Sequence, residues 1–161
     1  MTTTGGVDAL PACTLRRMAR ADLPAVLAIE RVSFPTPWSE QSFETELRTT
    51  WSVPTVAVEA MPLGDRIVGY VCAWHVVDEV QLLNVAVHPA RRRQGVGETL
   101  VRQVLEQATG RRARVVVLEV RMANVAARRL YGRLGFRACG IRRAYYGPGQ
   151  DGLLMEWRIA W

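Results

Sequence analysis

The run RVVVLEVRM, from Arg114 to Met122, constrains the fold more than any other segment. It is β-branched and almost wholly apolar, so it reads as a strand covered on both faces. Such a strand needs layers of other structure around it, and helical periodicity supplies them on both flanks. Ahead of it, Val96, Leu100, Val101, Val104, Leu105 and Ala108 fall on one stripe that Gly110 ends. Behind it, Asn124 is placed to cap a helix with a stripe of Ala127, Leu130, Tyr131 and Leu134, which Gly135 stops.

Upstream, VPTVAVEA, RIVGYVCAWHVV and EVQLLNVAV read as three strands of an antiparallel meander, parted by MPLGD and by Asp78 and Glu79. Thr14 to Met18 reads as a further strand, and two more lie around RACGIRRAYY and GLLMEWRI. Two helices precede the meander. LPAVLAIERVSF has Asp22 as its N-cap and Pro24 in its first turn, and FPTPWS breaks it because Pro35 and Pro37 lack donors. EQSFETELR starts at a Ser39 cap and sets Phe43 and Leu47 four apart. The order predicts an α/β domain: a mixed, mostly antiparallel sheet of about seven strands flanked by about four helices.

At 161 residues, without repeats or linkers, the chain has the size of one domain. Residues 1–12 are expected to form a flexible tail and 13–161 the domain. No run of 18 apolar residues exists, and the first residues lack the basic start and apolar core of a secretory signal. Cys13, Cys72 and Cys139 are odd in number and widely spaced, and there are only two histidines. Neither a disulfide framework nor a metal site is expected, and a reduced cytoplasm fits best. The net charge is +6, and all 21 basic residues are arginine. That balance suits an anionic partner, either nucleic acid or a phosphorylated cofactor, or else a solvated surface.

The sequence RRRQGVGE lies between a strand ending near Val87 and a helix starting near Gly95. In that context backbone N–H groups converge on an anion, and the helix dipole adds roughly half a positive charge. Gly95 and Gly97 allow close approach to the backbone, and Arg91, Arg92 and Arg93 add charge. The spacing is neither G-x-G-x-x-G, since position 100 is Leu, nor a Walker loop, since lysine is absent.

Glu119 is a carboxylate inside the apolar run, sharing a face with Val115, Val117 and Arg121. A charge in a covered strand must find a partner or shift its pKa. Glu119 is therefore either paired with Arg121 or another arginine, or a general base moved toward neutrality. His75 and His88 read as structural. Tyr131 has core spacing, yet its phenol could protonate a departing thiolate.

Together these residues resemble the GCN5-related N-acetyltransferase (GNAT) family. VAVHPARRRQGVGETLV looks like its acetyl-coenzyme A loop, R/Q-x-x-G-x-G/A, met by Arg92, Gly95 and Gly97. NVAARRLYGRLGF is similar to its second signature, N-x-A-A-x-x-L-Y-x-x-L-G-F. FPTPWSEQSF, LEVRMAN and IRRAYY extend the match toward the RimI type, the bacterial ribosomal-protein alanine acetyltransferases.

The resemblance implies a direct attack in a ternary complex, with Glu119 as base and Tyr131 as acid. Val85, Ala86 and Val87 would run along the pantetheine arm of acetyl-CoA. Arg93, Gln94, Gly95, Val96, Gly97 and Glu98 would hold the pyrophosphate, and Asn124 the cofactor arm. Trp38, with Tyr145 or Tyr146, would border a peptide groove. Glu98 departs from the basic or hydroxyl residue usual in relatives, so contact through its N–H alone is expected, with its acid in solvent or paired with Arg102. The implied acceptor is a protein N-terminus, most specifically the alanine of small-subunit ribosomal protein eighteen, acted on by a monomer without metal, membrane or nucleic-acid role. The alternatives are an acetyltransferase for lysine or small-molecule amines, an acyl-coenzyme A sensor, and a nucleic-acid binder.

Overall fold

A computed structural model describes residues 13–160 of the chain; the expected tail and Trp161 lie outside the described residues. The elements are β1 (Cys13–Arg17), α1 (Leu23–Ser33), α2 (Glu40–Arg48), β2 (Thr55–Glu59), β3 (Arg66–Val76), β4 (Glu79–Val87), α3 (Val96–Gly110), β5 (Val115–Arg121), α4 (Val125–Arg133), β6 (Arg137–Arg142) and β7 (Gly152–Arg158). The strands form one sheet in the order β1-β2-β3-β4-β5-β7-β6. Every pair is antiparallel except β4 and β5, which α3 joins as a parallel crossover. This is the mixed, mostly antiparallel α/β architecture that the sequence predicts.

Each face of the sheet carries its own core. On one, Leu100, Val101, Val104 and Ala108 of α3 pack on Val71, Val80, Leu82, Val116 and Leu118, with Tyr131 and Phe136 beside them. On the other, Leu23, Val26, Leu27 and Ile29 of α1 and Phe43 of α2 cover Val56, Val58, Tyr70, Cys72 and Ala86. Gly69 sets how closely α3 approaches. A Cβ there would lie 3.0 Å from the Ala86 carbonyl oxygen, 3.1 Å from Leu100 Cδ1 and 3.1 Å from Val96 Cγ1. The first turn of α3 therefore rests on a strand position that tolerates no side chain.

Two local expectations are corrected. Asp22 stands at the N-cap position of α1, but its side chain accepts no bond from the first turn of the helix. Its carboxylate accepts from the Ala19 N–H at 2.7 Å and from both terminal nitrogens of Arg16, which ends a short 3₁₀ turn ahead of the helix. Ser39 does cap α2, accepting from the Ser42 N–H at 3.1 Å. The second correction concerns β5, which is covered on one face. Val116, Leu118 and Val120 are buried against α3, while Val117, Glu119 and Arg121 are only half-buried. α1 and α2 pack on that other side of the sheet but stop at β1–β4. The apolar run misled because the valines at 115 and 117 continue it on the less covered face.

Candidate active site

The sheet opens at a defined point. The parallel ladder between β4 and β5 runs from Glu79↔Val115 to Leu82↔Leu118 and ends there. At the same level the β3–β4 register shifts, pairing Ala73 with Leu82 but Cys72 with Asn84, so Leu83 is an extra residue in β4. A bulge of this kind bends a strand and turns its side chains over. Val80 and Leu82 accordingly face the α3 core, whereas Ala86 faces α1. Beyond the bulge, Asn84 to Val87 pair with β3 but not with β5, and the edge that includes Val85, Ala86 and Val87 borders a wedge between the strands.

Glu119 is the first residue of β5 past the last rung. Its side chain is 26% exposed, and Oε1 lies 3.3 Å from Arg142 Nη1. The carboxylate is therefore partly exposed rather than sealed inside the sheet. Its partner is Arg142 rather than Arg121, whose guanidinium stacks 4.3 Å over Tyr146 and donates to Gln150. Arg142 in turn lies 5.3 Å over Tyr145, and the two tyrosines meet edge to face at 5.0 Å. The structure therefore gathers Glu119, Tyr145 and Tyr146 into one cluster of aromatic rings and guanidinium groups.

Tyr131 approaches from the α3 side. It is buried, with its ring 5.6 Å from that of Phe136. Burial, and then the nearby Tyr146, hold its phenol above the ordinary value. Burial also raises the Tyr146 phenol, followed by the Glu119 carboxylate. Tyr146 thus lies within electrostatic reach of both the carboxylate on one side and Tyr131 on the other.

At the head of α3 lies a set of orphan donors. The N–H groups of Arg93, Gln94, Gly95, Val96, Gly97 and Glu98 find no acceptor among the described residues; the first bond of the turn is Thr99 N–H to Gly95 O at 3.0 Å. Gly95 adopts φ 84°, and Arg93 takes the left-handed region at φ 61°. A Cβ on Gly97 would meet Leu130 and Val87 at 3.5 Å, so this turn sits between the end of β4 and α4. These donors and the open β4 edge fit an elongated phosphate-bearing ligand such as acetyl-CoA.

The arginines around the loop differ in availability. Arg91 is paired with Glu59 at 3.0 Å, and Arg92 donates to Val87 O and Ser33 Oγ, which ties the loop to β4 and α1. Glu59 offsets the charge of Arg91, whereas Arg92 bonds only neutral acceptors and keeps its charge beside the loop. Arg93 is exposed. Glu98 pairs with Arg102 at 2.7 Å, which takes its acid off the anion path. Asn124 Oδ1 accepts from the Ala127 N–H at 3.1 Å as the cap of α4, engaging that oxygen locally.

Trp38 is not part of the Glu119 cluster; its ring lies 5.2 Å from Phe43 in the α1/α2 core. His88 is structural: Nδ1 accepts from the Ala90 N–H, and Nε2 lies 2.8 Å from Arg66. A cavity of about 710 Å³ lies elsewhere, lined by Ala25, Ile29, Val58, Arg66 and His88. Among the described residues no cluster of His, Cys, Asp and Glu could hold a metal ion, and no helix is long and apolar enough to cross a membrane.

The reading of the sequence missed Glu30, which is 1% exposed and accepts from Trp38, Tyr70 and Asn84. A signal was present: Glu30 falls three and four residues after Leu27 and Val26, inside the apolar stripe of α1.

The profile of the Acetyltransferase (GNAT) family matches residues 23–136. A Bacillus subtilis (strain 168) protein, provisionally named a ribosomal protein bS18-alanine N-acetyltransferase, is 37% identical over 142 residues, covering 88% of this chain and 92% of that one. The crystal structure of the ribosomal-protein-S18-alanine N-acetyltransferase from Escherichia coli superposes with a TM-score of 0.83 at 30% identity, over 92% of this chain and 95% of that one. Arabidopsis thaliana NAA60, solved with acetyl-CoA, shares the fold at a TM-score of 0.81 and 23% identity, over 92% and 99% of the two chains.

Proposed function

The chain belongs to the GNAT family of acetyltransferases, and from that premise we propose that it transfers acetyl from acetyl-CoA to the α-amine of a protein N-terminus, that of the alanine of ribosomal protein bS18. The relatives named for that reaction cover most of both chains and support the acceptor. The observation that carries the chemistry is the end of the β4–β5 ladder at Leu82↔Leu118, with Glu119 at its mouth.

Acetyl-CoA supplies an activated thioester when bound. The N–H groups of Arg93 to Glu98 hold its phosphates, and the open edge at Val85 to Val87 aligns its arm. Asn124 contributes the amide nitrogen that its capping role leaves over. An α-amine, with a pKa near 7.7–8.0, is mostly charged at pH 7 and cannot attack. Glu119 takes its proton, directly or through water. Backbone N–H groups near Val85 offset charge on the acyl oxygen. Tyr131 keeps its proton until sulfur departs and then donates it. Holding both reactants in the wedge supplies much of the acceleration. Trp38 on one side and Tyr145 and Tyr146 on the other border the acceptor.

The test is mass spectrometry of short peptides that differ only at the first residue, each with one internal lysine. Acetylation at the α-amine, favouring alanine, is expected. Acetylation confined to lysine would replace this acceptor with the ε-amine.

A further inference from the structure

We infer that Glu30 is a positioning residue for the acceptor, fixing the Trp38 wall of the groove against the bulged strand β4. This rests on the peptide-acceptor reading above. The segment between α1 and α2, Phe34 to Trp38, contains Pro35 and Pro37, which have no N–H to anchor it. Its two ends are both held by one residue. The Phe34 N–H donates to the Glu30 backbone oxygen at 3.2 Å, and the Trp38 N–H donates to Glu30 Oε1 at 3.0 Å.

The other oxygen of the same carboxylate reaches the sheet. Oε2 accepts from the Tyr70 hydroxyl on β3 and from Asn84 Nδ2 at 2.8 Å. Asn84 is next to Leu83, the extra residue of the β4 bulge, and to Val85 on the open edge. Aromatic packing closes the circuit: Trp38 lies on Phe43, and Phe43 meets Tyr70 edge to face at 5.6 Å. Trp38 is therefore fixed at its amide by Glu30 and at its ring by Phe43. Three donors converge on two oxygens at a site with 1% exposure, and only a carboxylate accepts from all three without rearrangement. The Glu30 carboxylate is taken up by Trp38, Tyr70 and Asn84, so Glu30 acts through these residues.

The expected behaviour separates positioning from bulk stability. Glu30→Met keeps the volume and removes every acceptor. Glu30→Gln keeps one oxygen for the Trp38 N–H, because the Tyr70 hydroxyl can turn and the Asn84 amide can flip to meet its NH₂ group. In the full-length enzyme with acetyl-CoA and an alanine-initiated peptide, Glu30→Met is expected to raise the peptide KM at least tenfold. The acetyl-CoA KM stays within threefold, and Glu30→Gln restores the peptide KM to within threefold of wild type. Hydrogen exchange at the Trp38 amide should accelerate at least tenfold in Glu30→Met and stay slow in Glu30→Gln. A folded Glu30→Met protein with a wild-type peptide KM overturns the inference, as does equal loss in both variants.

If Glu30→Met does not fold, Glu30→Gln decides: slow Trp38 exchange with a near-wild-type peptide KM agrees, and fast exchange with an unchanged KM overturns it. A wild-type enzyme inactive on the peptide contradicts the acceptor reading alone. The Trp38 exchange rates still report whether Glu30 holds that wall.

Discussion

Arg142 Nη1 stands 3.3 Å from Glu119 Oε1, at the point where β5 loses its parallel neighbour. The arginine is 54% exposed, so the pair is screened and contributes at most about 1 kcal/mol. An incoming amine can displace it at small cost. Arg142→Gln is accordingly expected to change stability by less than about 1 kcal/mol and to keep at least a tenth of wild-type turnover. Urea unfolding and steady-state rates check both numbers.

Gly69→Ala tests how the phosphate loop is seated. The added methyl meets a backbone oxygen at 3.0 Å and the start of α3 at 3.1 Å, and neither gives way without moving the loop. Overpacking of this kind costs about 1–3 kcal/mol. A higher acetyl-CoA KM should accompany a lower melting temperature, with the peptide KM less affected.

His75 should make the fold acid-sensitive. Burial, and then the nearby Arg111, lower its imidazole to about 4, and both ring nitrogens are buried with no hydrogen-bond partner among the described residues. Below about pH 6.5 the unfolded chain binds a proton that the folded chain refuses. Stability present above that pH is therefore lost as pH falls from about 6.5 toward 4. His75→Phe should flatten this decline in urea unfolding measured from pH 7 to pH 4; an unchanged slope would assign the acid sensitivity elsewhere.

Tyr131→Phe removes a hydroxyl and nothing else from a buried ring. That hydroxyl is the proposed proton donor to the departing sulfur, so its loss should lower kcat by about 10²–10⁴. Acetyl-CoA binding, read by calorimetry, should remain within threefold.

Most of the fold was legible because periodicity and turn residues are local signals. The α3 stripe, the Ser39 cap, the meander and the glycine at the head of α3 depend on neighbours within a few positions. What was not legible depends on pairs far apart in sequence. Glu119 on β5 meets Arg142 on β6 across β7, not the nearby Arg121. Glu30 meets Tyr70 and Asn84 across 40 and 54 residues. The coverage of β5 also depended on where α1 and α2 stop, which no property of the RVVVLEVRM run encodes. Arg91 looked like free charge because its partner Glu59 lies 32 residues away in the chain.

Glu119→Gln, assayed by mass spectrometry on an alanine-initiated peptide alongside calorimetry of acetyl-CoA binding, bears most directly on the chemistry. The substitution keeps the shape of the side chain and removes its capacity to take a proton. Turnover is expected to fall by about 10²–10⁴ while acetyl-CoA affinity stays within threefold. Wild-type turnover by the Gln protein would contradict the assignment of Glu119 as the base.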